Sequence, residues 1–217
     1  MKILLLGKNG QVGWELQRSL APLGELLALD SRSPDYCGDL SDLSGLAATV
    51  QRFAPDVIVN AAAYTAVDKA ESEPDLAHTI NAVAPGRIAE ELARTGGLLI
   101  HYSTDYVFDG DKPGSYEETD STGPLNVYGA SKLDGERAIK QSDARAIVFR
   151  TSWVYGARGS NFLLTMLRLA QERAELQIVD DQIGAPTSSE CIAQATANIL
   201  AQLLAPAGRG LDGRSGI

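Results

Sequence analysis

A chain of 217 residues can bury one full core and leaves room for a small second lobe. Its 44% hydrophobic and 22% charged content are those of a globular protein. A formal net charge of −9 argues against a basic nucleic-acid-binding face, but it leaves open an anionic small ligand held by backbone amides.

The first apolar run, Lys2–Leu6, reads as a strand and breaks at Gly7, too early for a secretory core. Helix period follows over Gln11–Leu20, then a strand over Glu25–Leu29. The pattern continues as helix 42–53, strand 56–59, helix 75–95, strand 98–101, helix 126–140, strand 146–150, helix 161–173, strand 176–179 and helix 188–204. Ser41 or Asp42 and Ser188 are suitable helix caps. Strands separated by helices pair in parallel through right-handed crossovers, so an α/β, doubly wound, Rossmann-like sheet is expected. Residues 1–150 would form the dinucleotide-binding domain and residues 151–217 the start of a C-terminal substrate lobe. The loop-rich stretch 103–125 breaks the rhythm directly after a strand, where such sheets bind ligands. No stretch is long enough for a membrane span, and Cys37 and Cys191 are too few for a disulfide framework, so a cytoplasmic protein is expected.

Gly7-x-x-Gly10-x-x-Gly13 joins the first strand to the first helix. Glycines there allow a tight turn, close approach to a pyrophosphate and tight helix packing, and the helix N-terminus favours phosphate. Asp30, at the end of the second strand, can accept hydrogen bonds from ribose hydroxyls, whereas nearby Arg32 suits a 2′-phosphate, so NADPH and NADH both remain open. Asp39 and Leu40 are candidates for the adenine side, with an ordinary helix acid as the alternative for Asp39. Asn60-Ala61-Ala62-Ala63-Tyr64 brings small residues to a strand's carboxyl end, where backbone can pass close to a flat ligand.

Tyr128 and Lys132 stand four residues apart, one helical turn, on the same side. A free phenol has a pKa of about 10, and a nearby ammonium favours the phenolate. Such a pair suits carbonyl reduction, in which hydride reaches carbon and an acid protonates the alkoxide. Thr104 can hydrogen-bond the developing alkoxide, and Asp105 can bind sugar hydroxyls or adjust the proton donor.

Taken together, the glycine trio, the 60–63 segment, Asn81 and Tyr128-x-x-x-Lys132 resemble the extended short-chain dehydrogenase/reductase family. Further likeness to its nucleotide-sugar reductases is carried by Ala63-Tyr64-Thr65-Ala66-Val67-Asp68-Lys69-Ala70-Glu71, Ser103-Thr104-Asp105-Tyr106-Val107-Phe108-Asp109-Gly110 and Arg150-Thr151-Ser152-Trp153-Val154-Tyr155-Gly156. The resemblance implies NAD(P)H-dependent reduction of the 4-keto group of a nucleotide-activated deoxyhexulose, a precursor of cell-surface polysaccharide. It implies that Tyr128 donates the proton, that Lys132 binds the nicotinamide ribose and lowers the Tyr pKa, and that Thr104, Asp105 and Trp153 contact the sugar. Asn81 would organise a proton relay behind Lys132. Gln11, Val12, Ala62, Ala63, Tyr64 and Thr65 would line the cofactor, and Gln182 and Thr187 would border the substrate nucleotide. It further implies magnesium between carboxylates, Glu15 and Glu190, at a homodimer interface, where the residues alone read as solvated helix glutamates. Family members continue beyond Gly216-Ile217 into a further strand, so the substrate lobe is expected to be incomplete and turnover weak. Two rivals share the fold: an epimerase or dehydratase, although Tyr106 stands where such dehydratases resemble a Glu, and a non-catalytic regulatory subunit like that of methionine adenosyltransferase.

Overall fold

The computed structural model describes residues 1–204. The tail and the end of the expected C-terminal lobe lie outside the described residues. Five strands, β1 (Lys2–Leu6), β2 (Glu25–Leu29), β3 (Val57–Asn60), β4 (Leu98–Thr104) and β5 (Arg145–Thr151), form one parallel sheet in the order β2-β1-β3-β4-β5. Helices cover both faces, which is why β1 and β3 read as continuous apolar runs rather than alternating ones. On one face Ile3 and Leu5 pack with Leu16 and Leu20 of α1 (Gln11–Leu20) and with Ala193 and Leu200 of the helix Ser189–Leu204. On the other, Leu4 and Leu6 meet Leu46 and Val50 of α2 (Leu43–Phe53), and further buried residues of the Ala84–Thr95 and Val127–Gln141 helices complete the cluster.

Between β3 and β4 the expected single helix is broken into α3 (Val67–Ala70), α4 (Pro74–His78), a π-helical turn over Thr79–Val83, and α5 (Ala84–Thr95). Such one-turn π segments collect at functional sites, and this one carries Asn81. After β4 comes α6 (Val127–Gln141), capped by Asn126, whose side chain accepts from the Gly129 amide at 2.7 Å. After β5, α7 (Phe162–Glu172) is capped by Asn161, and α8 (Ser189–Leu204) completes the described chain.

Two differences from the sequence reading have a common cause, the availability of a pairing partner. β4 continues three residues past 101 because β5 pairs with it as far as Thr104–Thr151. The stretch 176–179 forms no strand: Ile178 and Val179 are 53% and 67% exposed, and among the described residues no strand pairs beyond β5. Instead a two-stranded parallel pair, β6 (Val154–Tyr155) with β7 (Thr187–Ser188), ties the chain after β5 to the start of α8. Among the described residues no helix is long and apolar enough to cross a membrane.

Candidate active site

Strand order reverses between β1 and β3, and in an open parallel sheet the crevice beyond the strand ends at that reversal is the ligand site. A cleft of about 1000 Å³ lies there. Its floor is the turn after β1. Gly7 has φ +85°, and a Cβ on it would come within 2.7 Å of the Ala61–Ala62 backbone, so only glycine lets the two strand ends close up. Gly10 caps α1 without a side chain, leaving helix N–H groups facing the cleft, which Gln11 and Val12 also line. Gly13 lies beneath, against the Gly7 carbonyl. Bare backbone, a helix N-terminus and close-packed glycines suit a dinucleotide pyrophosphate.

At the far side of this turn Asp30 lines the cleft with Asp39 and Leu40. Desolvation raises the Asp30 pKa, but the Arg32 amide and the Ser33 hydroxyl, each at 3.0 Å, outweigh it together with Lys8 and Asn9, so the net shift is downward. Arg32 enters this network through its backbone. Ala62, Ala63 and Thr65 line the cleft from the end of β3. The Tyr64 phenol instead donates to Glu73 at 2.7 Å, and its backbone N–H and C=O are held by Asn81. Asn81 also donates to Ser131 at 3.0 Å, so its side chain joins the 64 loop to α6 rather than to Lys132.

Thr104, Asp105, Tyr128 and Lys132 come together at the opposite end of the cleft. Thr104 ends β4; its hydroxyl donates to Asp105 at 3.0 Å and accepts from the Tyr106 amide. The other Asp105 oxygen accepts from Ser152 at 2.7 Å. Burial pushes the Tyr128 phenol up to about 12, opposed by its hydrogen bond with Thr104 and reinforced by the Asp105 charge. The phenol is therefore protonated throughout the neutral range. Lys132 is buried; its Nζ donates to the Tyr102 carbonyl at 2.6 Å and lies 3.3 Å from His101 Nε2. Burial brings Lys132 down to about 8, against the upward pull of Glu136. The forces acting on Tyr128 are thus burial, Thr104 at the end of β4 and the Asp105 charge just beyond it, where the sequence pointed to the ammonium.

Trp153 lines the cleft at 44% exposure with φ +45°, an uncommon conformation for a non-glycine residue. Its indole packs over Gly184, so the 176–187 stretch supports the cleft wall. Gln182 lies exposed in that stretch, and Thr187 sits in β7. Glu15 and Glu190 lie outside the cleft, on either side of Arg18, at 2.8 and 3.6 Å. A guanidinium between two carboxylates does not suit magnesium, and among the described residues no three His, Cys, Asp or Glu side chains converge.

Sequence reasoning left out His101, buried against Lys132, and the Asn60 side chain, buried against the other ring nitrogen of His101. The available signal was that His101 is one of only two histidines and sits near a strand's carboxyl end. Phe162, at the start of α7, also lines the cleft, and Gln11 reaches across to accept from Asn161 at 2.8 Å.

The family model described as RmlD substrate binding domain matches residues 1–211. The dTDP-4-dehydrorhamnose reductase of Escherichia coli (strain K12) is 58% identical over 200 residues, which are 92% of this chain and 67% of that protein. Among solved structures, a dTDP-4-dehydrorhamnose reductase from Clostridium acetobutylicum superposes with a TM-score of 0.87 at 36% identity, over 93% of this chain and 71% of the other. A Bacillus anthracis dTDP-4-dehydrorhamnose reductase in complex with NADP gives 0.86 at 39% identity, over 94% and 71%.

Proposed function

The chain belongs to the RmlD substrate binding domain family, and from that premise we propose that it is an NADPH-dependent reductase of dTDP-4-dehydrorhamnose, yielding dTDP-L-rhamnose. The observation that supports this most is a protonated, half-buried Tyr128 beside Thr104 at the end of a cleft whose other end is a glycine-lined helix N-terminus. When bound, the nicotinamide coenzyme supplies hydride to the ketone carbon.

The rest of the chemistry falls to the protein. Thr104 and Tyr128 would hold the ketone oxygen between two hydroxyls, and Tyr128 would release its proton to that oxygen as the alkoxide forms. An alkoxide is a far stronger base than phenolate, so a phenol near 12 still donates downhill. The Thr104 hydroxyl donates to Asp105 in the free chain and would turn to the ketone oxygen when substrate binds, leaving Asp105, still held by Ser152, to accept from a sugar hydroxyl. Trp153 would cover one sugar face. Tyr106 stacks edge-on to Tyr128 at 5.6 Å and brings no carboxylate to it, which favours reduction over dehydration. No step is assigned to magnesium. Two free thiols suit a reducing compartment, and the cytoplasm is part of this proposal. So is the division into a coenzyme domain, 1–150, and a substrate lobe beginning at 151.

The test is NADPH oxidation with dTDP-4-dehydrorhamnose by the wild type and by Tyr128→Phe. Turnover that the phenylalanine abolishes is expected. Turnover that Tyr128→Phe leaves intact would remove Tyr128 as the donor, and stoichiometric NAD retained through purification would move the reading to an epimerase.

A further inference from the structure

Beneath the cleft a chain of buried polar groups runs from the end of β3 to α6. The Ala62 backbone N–H, which can only donate, points at Asn60 Oδ1 at 3.2 Å. That fixes the Asn60 amide, so its Nδ2 group is the end turned to His101 Nδ1, at 3.1 Å. An NH2 group can only donate, and His101 Nδ1 must therefore accept. His101 is fully buried, and desolvation, with Lys132 second, lowers its pKa well below the ordinary value. A neutral imidazole that accepts at Nδ1 carries its proton on Nε2. The Nε2–H faces Lys132 Nζ at 3.3 Å.

We propose that His101 is a positioning residue whose tautomer, dictated by Asn60 and the Ala62 amide, favours the uncharged amine of Lys132. An amine has a lone pair for the Nε2–H and still donates to the Tyr102 carbonyl. An ammonium in the same place would point N–H at N–H and keep a single acceptor among these partners. The charged groups around Lys132 are few. Glu136 on α6 pulls toward the ammonium, but Arg150 of β5 answers it with two hydrogen bonds, at 2.7 and 3.0 Å. β4 contributes His101, β3 only the neutral Asn60, and the π turn only the neutral Asn81. The lowered Lys132 pKa agrees with this arrangement. The proposal rests on the reading that Lys132 serves the Tyr128 site, and it makes the charge beneath that site a property of the Asn60–His101–Lys132 unit.

The experiment is 15N spectroscopy of the histidine rings and of the Lys132 amine in the full chain without substrate or coenzyme. Assignment would use His101→Gln and Lys132→Met. The expected result is a neutral His101 with its proton on Nε2, and a Lys132 midpoint well below that of the other lysines. In Asn60→Ala, which changes no charge, His101 is free to move its proton to Nδ1, and the Lys132 midpoint should rise by about one unit. A wild-type Nδ1–H tautomer, or an Asn60→Ala midpoint that stays in place, overturns the proposal. If Asn60→Ala does not fold, the wild-type tautomer decides alone. Failure of the reductase reading would show separately, in the turnover of Tyr128→Phe, because the tautomer is read without catalysis.

Discussion

Gly13 on α1 presses so closely on the carbonyl oxygen of Gly7 that a Cβ on Gly13 would overlap it. The obstacle is backbone, which no side-chain rotation relieves. Gly13→Ala should therefore cost about 1–3 kcal/mol of stability by overpacking and push the Gly7–Gly10 turn out of place. Denaturant unfolding and NADPH fluorescence titration check both parts. A stable Gly13→Ala protein with unchanged NADPH affinity would show that the turn does not depend on this contact.

Thr104 carries three interactions at one hydroxyl, with Asp105, the Tyr106 amide and Tyr128. Thr104→Val keeps the shape and removes all three. Loss of one donor to a developing oxyanion costs about 10²–10³ in kcat, so a fall of that order is expected, with the KM for NADPH little changed. Equal losses in kcat and coenzyme affinity would instead mean that the whole β4 end had shifted.

The ends of β1, α1 and β2 were legible in the sequence because each is bounded by local chemistry: Gly7, the turn at Gly10, and Asp30. The glycine turn and the residues around Tyr128 were legible for the same reason. What stayed hidden depends on partners distant in sequence. The run 176–179 looks as apolar as β5, yet a strand exists only where another strand pairs with it. β6 and β7 are two residues each and defined solely by pairing with one another. The orientation of Lys132 depends on His101, 31 positions away, and nothing in a four-residue spacing shows that the amine turns toward β4.

Arg150 and Glu136 form a bidentate pair at 2.7 and 3.0 Å, with side chains 12% and 2% exposed. Removing one partner strands the other charge in the interior. Arg150→Met should cost about 3–5 kcal/mol, and the double variant Arg150→Met/Glu136→Leu considerably less, because the cost lies in the unpaired carboxylate. Urea unfolding of the three proteins decides it. Additive losses would show that the two groups are not coupled.

Asp30 holds a full set of donors from Asn9, Arg32 and Ser33 and remains ionised. A carboxylate accepts from ribose hydroxyls but repels a 2′-phosphate. Asp30→Asn should shift the NADPH-to-NADH ratio of kcat/KM upward by about five- to tenfold, because it removes a charge that repels the 2′-phosphate. Paired Michaelis curves with the two coenzymes test it, and an unchanged ratio would place the 2′-phosphate away from Asp30.

Lys132 links the site to stability through pH. Its pKa is about 8 in the folded chain, against the ordinary lysine value of 10.5 that the unfolded chain approximates. Between these values the unfolded chain binds a proton that the folded one does not, so stability rises with pH across the window. The gain is complete above the upper value and absent below the lower. At about 1.4 kcal/mol per unit it amounts to a few kcal/mol. Tyr128 acts oppositely at higher pH: folded near 12 against an ordinary 10.0, it favours the folded chain until pH climbs past 10 and withdraws that contribution above it. Unfolding free energies should therefore climb between pH 8 and 10 and then fall. Lys132→Met removes a buried ammonium without changing the volume much, so it should flatten the climb and raise stability near neutrality. A Lys132→Met protein with the wild-type slope would assign the climb to other groups and leave Lys132 with an ordinary pKa.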